Sequence, residues 1–521
     1  MRVLQIGRDD WSASTRVPAE VEWAFVAADD DSGLDPALLG RIDATVIDAS
    51  FDPAGLGVLD KLVTPYTLIV ARRLQAELQG ELGDAYQRFF ARKGAVYDDV
   101  DTAEDRRRIV DGVPRRYFAR PFGQKLELRK ALISPFHTTG WWFEGNAYLG
   151  ADIDYGDEFR QLVIWRENIQ HEGSRALELW PEYVKDAGCE IELSVQLIQS
   201  GTPDVIVFHR RYSESELAEP VIIDEPTSGY LSCSIFAKGK GTVRVGPIHY
   251  RHSRLGAGQF LPGGKRLVDS RREELFYYFH PGNLEPPLNV YFAGYRPAEG
   301  FEGYFMMERL GHPFLLITDP RLEGGRFYLG SAELEDAVLQ VIRDHARDLG
   351  LAERDVIVSG LSMGSFGALY YGSQLDAHAI VAGKPIVDLG YVAERGRLVR
   401  PDDFFTIFDI VNFWNHDRGG SAGGGGDEST VDAFTDRLVS RWNGEPGFGD
   451  TKILLSYMEQ DDYDDEAYYT LLNSQTGKPT TVIARGYQGR HNDDSTSIVT
   501  WFINQYRRVI DEYRRARDGQ N

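Results

Sequence analysis

The sequence has little cysteine and no long apolar run. Only Cys189 and Cys233 occur among 521 residues, which excludes a framework of several disulfides and a four-cysteine zinc site. No stretch approaches the ~18 apolar residues of a membrane span. The first apolar run turns charged at residues 8–10, which leaves no signal-peptide core. We therefore expect a cytoplasmic protein with no integral membrane segment and no metal site.

Positive charge is also scarce. Lysine and arginine total 57 against 80 aspartates and glutamates, a formal net charge of −23. Such a charge repels phosphate backbones and anionic lipids, so nucleic acid is not an expected partner. The one short basic run, residues 106–108, lies close to Asp101, Glu104 and Asp105, and we interpret it as a solvated helix face.

The fold class predicted from the patterning is α/β, with three domains. In residues 1–125, apolar runs alternate with helical stretches, which predicts a small Rossmann-like α/β domain. The first run ends in Gly7-Arg8-Asp9-Asp10 and not in G-x-G-x-x-G. The dinucleotide fingerprint is therefore absent, and we expect no cofactor.

Residues 126–285 have a different pattern, with short period-two segments separated by turn residues. This pattern predicts a central antiparallel β-sandwich. If its tryptophans formed a sugar-stacking surface, the domain would be carbohydrate-binding-like. The alternative, which we favour, is that they are core and edge aromatics. The four tryptophans concerned are Trp141, Trp142, Trp165 and Trp180.

Residues 286–521 return to the α/β pattern and contain a nucleophile elbow. Gly360-Leu361-Ser362-Met363-Gly364 fits G-x-S-x-G, in which the tight strand-to-helix turn leaves no room for a Cβ at either glycine. A β-branched run precedes the motif, and small, helix-compatible residues follow it. We therefore predict an α/β-hydrolase catalytic domain with Ser362 as its nucleophile. A glycine-rich loop is expected at residues 419–426.

The general base is expected to be a histidine that follows the serine in the chain. His378 lies inside a predicted strand, where a structural role is expected, and nothing around His416 indicates a strand end. His491 follows a predicted strand and precedes the last amphipathic helix. Its position is the one that a general base occupies in this fold.

The triad acid should follow the penultimate strand, where several carboxylates compete. Asp461 is the first choice because it lies a few residues beyond the strand end, with Glu459 second and Asp462 third. The oxyanion hole needs two backbone N–H donors. We expect them to come from Met363 and from Tyr295, which lies in the loop after an earlier strand.

The chain resembles a known family, the second of the three core accessory secretory proteins of Gram-positive bacteria. The matching blocks are spread over the whole sequence. They are Val3–Gly7 with Asp10-Trp11, Ser359–Gly364 with Gly367–Tyr371, Gly383-Lys384-Pro385 with Asp388-Leu389-Gly390, Tyr457-Met458 with Asp462-Tyr463-Asp464, and His491-Asn492-Asp493.

The resemblance implies a narrower function than the motif does. Members of the family assist export of serine-rich-repeat glycoprotein adhesins and O-acetylate their N-acetylglucosamine residues through a Ser–acid–His triad. Carried over, the nucleophile is Ser362, the base His491 and the acid within 459–461. The implied partners are the other accessory secretory proteins, the accessory SecA ATPase and the glycoprotein. The implied location is cytoplasmic, with peripheral attachment to the membrane through the export complex.

The sequence is also compatible with two other functions. One is a non-catalytic export adaptor that uses the hydrolase fold as a scaffold. The other is a free-standing carbohydrate esterase, which would hydrolyse acetylated sugars without a protein partner. Nothing in the pattern identifies the acyl donor.

Overall fold

The computed structural model is a mixed α/β protein with several sheets. It describes residues 1–518 with gaps at 31–32, 79, 136–139, 323, 399–405, 418–430, 432–433, 437–441, 443–446 and 476. The glycine-rich segment predicted at 419–426 lies outside the described residues. Within the described residues, no helix is both long and apolar enough to cross a membrane.

The first sheet has five strands, and every pairing in it is parallel. Its three central strands are short, almost fully buried and contain β-branched residues, as a parallel sheet covered on both faces requires. In order across the sheet, the strands are Glu22–Ala27, Arg2–Gly7, Ala44–Ile47, Leu68–Ala71 and Val96–Asp98. The helices around them are Pro36–Leu39, Leu56–Leu62, Leu74–Glu77, Gly80–Arg92 and Ala103–Arg116.

The second sheet is antiparallel and has ten strands in one hydrogen-bonded network. Two long strands, Tyr148–Trp165 and Gly229–His252, pair with each other and with most of the rest. The other strands are Gly123–Leu126, Ala131–Ile133, Trp141–Glu144, Ile169–His171, Leu177–Lys185, Cys189–Gln199, Ile206–Ser213 and Val221–Ile223. The sandwich arrangement and the domain limits stay predictions.

The four tryptophans of this region do not share one exposed surface. Trp165 and Trp180 are each only 2% exposed, whereas Trp141 is 46% exposed. The indole N–H of Trp180 donates to the Arg272 carbonyl at 2.9 Å. Two of the four are therefore core residues, which agrees with the interpretation as core and edge aromatics.

The third sheet has eight strands, and it carries the candidate site. Its first two strands lie before residue 286, so the sheet begins ahead of the boundary predicted there. Patterning marks where strands lie but not which sheet each one joins. In order across the sheet, the strands are Lys265–Val268, Glu274–His280, Phe314–Thr318, Leu288–Phe292, Val356–Leu361, Ala379–Gly383, Lys452–Met458 and Thr481–Tyr487.

The pairings along this sheet change direction once. The two that involve Glu274–His280 are antiparallel, and all later ones are parallel. Every residue of the helix Met363–Gly372 is buried, so this helix sits inside the core. The other helices of this part are Tyr304–Glu308, Ala332–Asp348, Leu389–Leu398, Thr406–Asp417, Ala467–Ser474 and Ser495–Asp518.

Candidate active site

Ser362 lies on a strained turn between a strand and the buried helix Met363–Gly372. Its backbone has φ 54° and ψ −123°, a conformation that is unfavourable for a residue with a side chain. A Cβ on Gly360 would lie 2.0 Å from the Gly364 carbonyl oxygen, and one on Gly364 would lie 2.1 Å from the Phe292 carbonyl oxygen. Both glycines of the motif are therefore required by the close approach of backbone to backbone.

The turn presents the Ser362 hydroxyl to a buried histidine. The distance from Ser362 Oγ to His491 Nε2 is 2.8 Å, although the two residues are 129 positions apart in the chain. His491 follows the edge strand Thr481–Tyr487, and only 3% of its side chain is exposed. An imidazole at this distance can accept the hydroxyl proton as a general base.

Asp461 is the carboxylate that contacts the imidazole. The distance from His491 Nδ1 to Asp461 Oδ2 is 2.7 Å, and Asp461 Oδ1 accepts the Tyr463 backbone N–H at 2.9 Å. With both oxygens bound, the carboxylate holds the tautomer in which Nδ1 carries the proton and Nε2 is free to accept one. The structure thus brings together Ser362, His491 and Asp461.

The two other candidate acids lie elsewhere. Glu459 is exposed and accepts a hydrogen bond from the side-chain amide of Gln488. Asp462 Oδ1 accepts the backbone N–H of His491 at 3.1 Å, so it holds the loop and not the ring. Which of the three carboxylates acts as the acid stays a prediction, and the geometry favours Asp461.

The two other candidate histidines lie outside the loop that carries His491. His378 lies just before the strand Ala379–Gly383, and its ring packs edge-on against Tyr513 with centroids 5.1 Å apart. Burial lowers the pKa of His378. His416 lies in the helix Thr406–Asp417.

Met363 follows Ser362 in the chain, and Tyr295 follows Gly294, whose backbone approaches Leu361. Met363 is the first residue of its helix, where the backbone N–H has no carbonyl of the same helix to bond. The loop that begins at Gly294 passes beside the elbow, because a Cβ on Gly294 would lie 3.2 Å from the Leu361 carbonyl oxygen. The Gly294 N–H donates to Glu302 at 2.6 Å. The oxyanion roles of Met363 and Tyr295 stay predictions.

Comparison with known proteins identifies the family. A family model described as "Accessory Sec system GspB-transporter" matches residues 1–515. The chain belongs to this family. Two curated accessory Sec system proteins match almost end to end. The one from Staphylococcus aureus (strain NCTC 8325 / PS 47) is 36% identical, over 98% of this chain and 97% of its own. The one from Streptococcus gordonii is 34% identical, over 98% of each.

A solved structure is similar over the same length. It is a chain of the Glycosylation Associate Protein (Gap123) complex from Streptococcus agalactiae. That chain is 33% identical, the match covers 98% of both chains, and the TM-score is 0.86. The overall fold is therefore shared with that chain.

This accessory Sec family member places a buried lysine between the loops of the site, and sequence reasoning missed its role. The Lys384 backbone N–H donates to the Ser456 carbonyl at 2.7 Å, and its ammonium donates to Ser495 Oγ at 2.7 Å. Burial lowers the pKa of Lys384, and the charge of Asp461 acts in the opposite direction. Lys384 thereby links the strand before the acid to the helix after His491. Its only signal was the Gly383-Lys384-Pro385 block.

A second missed residue, Asp464, anchors the loop that carries Asp461. Its Oδ2 accepts the backbone N–H groups of Val387 at 2.8 Å and Asp388 at 3.0 Å. Complete burial raises the pKa of Asp464 from the ordinary 3.8 to about 7. The folded protein therefore keeps this carboxyl protonated up to a higher pH than the unfolded chain does.

The Asp464→Asn variant should become more stable, relative to the unmodified protein, as the pH rises. Between the unfolded and folded pKa values the native protein binds more protons than the unfolded chain, so its stability falls with rising pH, by at most about 1.4 kcal/mol per pH unit. Asparagine keeps an oxygen acceptor and does not ionise. Denaturant unfolding of both proteins between about pH 5 and about pH 8 should show a difference that grows with pH.

The matched control is Asp336→Asn, which changes an exposed aspartate of the helix Ala332–Asp348. Its difference from the unmodified protein should stay constant over the same pH range. An Asp464→Asn difference that is equally flat would contradict the assignment of a raised pKa to this carboxyl.

Proposed function

We propose that this family member is a serine-nucleophile acyltransferase of the α/β-hydrolase type. It would O-acetylate N-acetylglucosamine residues of serine-rich-repeat glycoproteins and assist their export. The observation that carries the proposal is the hydrogen-bonded chain from Ser362 Oγ through His491 to Asp461. The strand order adds support, because Ser362, Asp461 and His491 follow the fifth, seventh and eighth strands of the third sheet, respectively. Their chain order is serine, acid, histidine, as in α/β-hydrolases.

The first half-reaction would acylate the serine. Ser362 Oγ attacks the acetyl carbonyl of the donor while its proton passes to His491 Nε2, and Asp461 stabilises the imidazolium that forms. The charge that develops on the carbonyl oxygen is stabilised by backbone N–H groups, for which Met363 and Tyr295 are the proposed donors. When the tetrahedral intermediate collapses, the donor's leaving group departs with the proton from His491. The products are an acetyl-serine ester and the deacylated donor.

The second half-reaction would transfer the acetyl group to a sugar hydroxyl. His491 removes the proton from the acceptor hydroxyl, whose oxygen attacks the acetyl-serine carbonyl, and Ser362 Oγ recovers the proton as the ester breaks. Water in place of the sugar would make the same site an esterase. The nearly complete burial of His491 and Asp461 supports a site in which competition from water is restricted.

An adaptor role has support of its own. The chain matches, over almost its full length, one chain of a complex of glycosylation-associated proteins. We therefore propose that this protein also binds the other accessory secretory proteins and works with the accessory SecA ATPase. It would act on the cytoplasmic side, where the export complex holds it at the membrane. The adaptor role does not depend on Ser362.

The test of the enzymatic role is an acceptor assay. The purified protein is given a chromogenic acetyl ester as donor and, as acceptor, a serine-rich peptide that carries N-acetylglucosamine. Mass spectrometry should show acetyl groups on the glycosylated peptide and none on the unglycosylated one. The Ser362→Ala variant should transfer none while still supporting export in cells.

The other outcomes favour the alternatives. Ester turnover without any transfer to the glycopeptide would favour a carbohydrate esterase. If the unmodified protein showed neither turnover nor transfer, the function would be that of an adaptor alone.

A further inference from the structure

A polar cavity, whose lining contains no triad residue, lies between the antiparallel sheet and the eight-stranded sheet. Its volume is about 210 Å³. Since a water molecule occupies about 30 Å³ of liquid, the space corresponds to about seven waters, which is roughly the size of one sugar ring. The charged side chains that line it come from both sheets and their connections. They are Arg244, Arg271, Arg326, Glu144, Glu273 and Asp409.

The charges around this cavity balance, and several are already paired. Arg326 pairs with Glu273, and both side chains are almost fully buried. Arg244 lies 3.4 Å from Glu144. Asp409 accepts the backbone N–H of Asn146 at 2.7 Å. With three guanidinium groups and three carboxylates in the wall, the cavity has no net charge to offer an ionic ligand.

The wall nevertheless has hydrogen-bonding capacity to spare. Asn412 is exposed and also lines the cavity, where its amide can both donate and accept.

The chemistry that fits this wall is that of a neutral, hydroxyl-rich ligand. Each hydroxyl donates to a carboxylate and accepts from a guanidinium, so a polyhydroxylated ring uses both kinds of wall group. A phosphate or a free carboxylate would be buried against three carboxylates, and a cation against three guanidinium groups. Either one would incur the cost of an unpaired buried charge.

One segment connects this cavity to the candidate active site. A Cβ on Gly325, the neighbour of Arg326, would lie 2.7 Å from the Met363 side chain. A Cβ on Gly324 would lie 1.9 Å from the Tyr295 ring. The residues that form the cavity wall and those that touch Met363 and Tyr295 are therefore consecutive in the chain.

We propose that this cavity binds one neutral sugar unit of a glycan chain, as a subsite separate from the acetylated sugar. This inference rests on the proposed function in one respect, because it takes the glycan to be the acceptor of the acetyl group. Occupation of the subsite would hold the glycan on the protein while another of its sugars is presented to Ser362.

The test measures the binding of free N-acetylglucosamine by saturation-transfer NMR. Asn412→Trp places a large ring at the cavity mouth and should weaken sugar binding at this subsite by about tenfold or more, as expected when one or two hydrogen bonds are lost. The sugar signal that remains is that of the acceptor site beside Ser362. Asn473→Trp is the matched control, since it makes the same change at an exposed asparagine of the helix Ala467–Ser474. The control should bind like the unmodified protein.

The Ser362→Ala variant separates this inference from the proposed function. It should keep the sugar signal, because the cavity does not involve the nucleophile. Equal signals for Asn412→Trp and the unmodified protein, with equal melting temperatures, would overturn the subsite. So would displacement of the sugar by inorganic phosphate at lower concentration, which would indicate an anion site. Either result would leave the acetyl-ester turnover that tests the proposed function unaffected.

Discussion

Replacing Ser362 with alanine should reduce turnover of a small chromogenic acetyl ester by roughly four to six orders of magnitude, the range seen when a triad serine is removed. The hydroxyl is the atom that attacks the carbonyl, and it lies 2.8 Å from His491 Nε2. Alanine retains the Cβ and removes only the oxygen, so the melting temperature should change little.

The matched control for this prediction is Ser373→Ala, the same change just beyond the C-terminal end of the same helix. Ser373 Oγ donates to the Tyr370 carbonyl, so its removal should leave turnover within about twofold, as for most substitutions away from a site. Equal rates for Ser362→Ala and the unmodified protein would show that the hydrolysis does not use this serine. The adaptor role would then be the one to examine.

Asp461→Asn should lower the same turnover by roughly 10³–10⁴-fold, as for other triads in which the acid is made neutral. An amide in place of the carboxylate cannot stabilise the imidazolium. Its NH₂ group would also present a donor to His491 Nδ1, which favours the wrong tautomer. Rates should be measured for Asp461→Asn beside two isosteric variants, Glu459→Gln and Asp462→Asn.

These two variants decide which carboxylate is the acid. Glu459 is exposed and bound to Gln488, so Glu459→Gln should leave the rate within about twofold. Asp462 accepts the His491 backbone N–H, and the loss of this hydrogen bond should cost about tenfold or less. A larger loss in Glu459→Gln than in Asp461→Asn would contradict the geometry described above.

The nucleophile elbow was predictable because its physics is local. The requirement for glycine at 360 and 364 comes from backbone atoms within a few residues or in the adjacent strand. The motif and its flanking strand and helix can therefore be recognised in the sequence. Family membership was likewise predictable from blocks spread along the chain, and the match over residues 1–515 confirms it.

The acid could not be selected from the sequence in the same way. Several carboxylates follow one strand within a few residues, and a pattern cannot show which of them turns toward a histidine 30 positions away. The loop backbone decides this, and Asp464 holds that backbone through the N–H groups of Val387 and Asp388. These contacts join segments more than 70 residues apart.

The same limit explains the other differences. The strands before residue 286 have ordinary strand patterns, but only tertiary pairing places them in the third sheet. Burial of Trp165 and Trp180, the bridging contacts of Lys384 and the cavity between two sheets all depend on which segments meet in space. By itself, then, the sequence determined the family, the mixed α/β class and the local geometry of the elbow. Short-range sterics and hydrophobic periodicity depend on residues that are close together in the chain. The tertiary structure alone decided which carboxylate contacts His491, which strands join the third sheet and where the cavity lies, because long-range packing sets them.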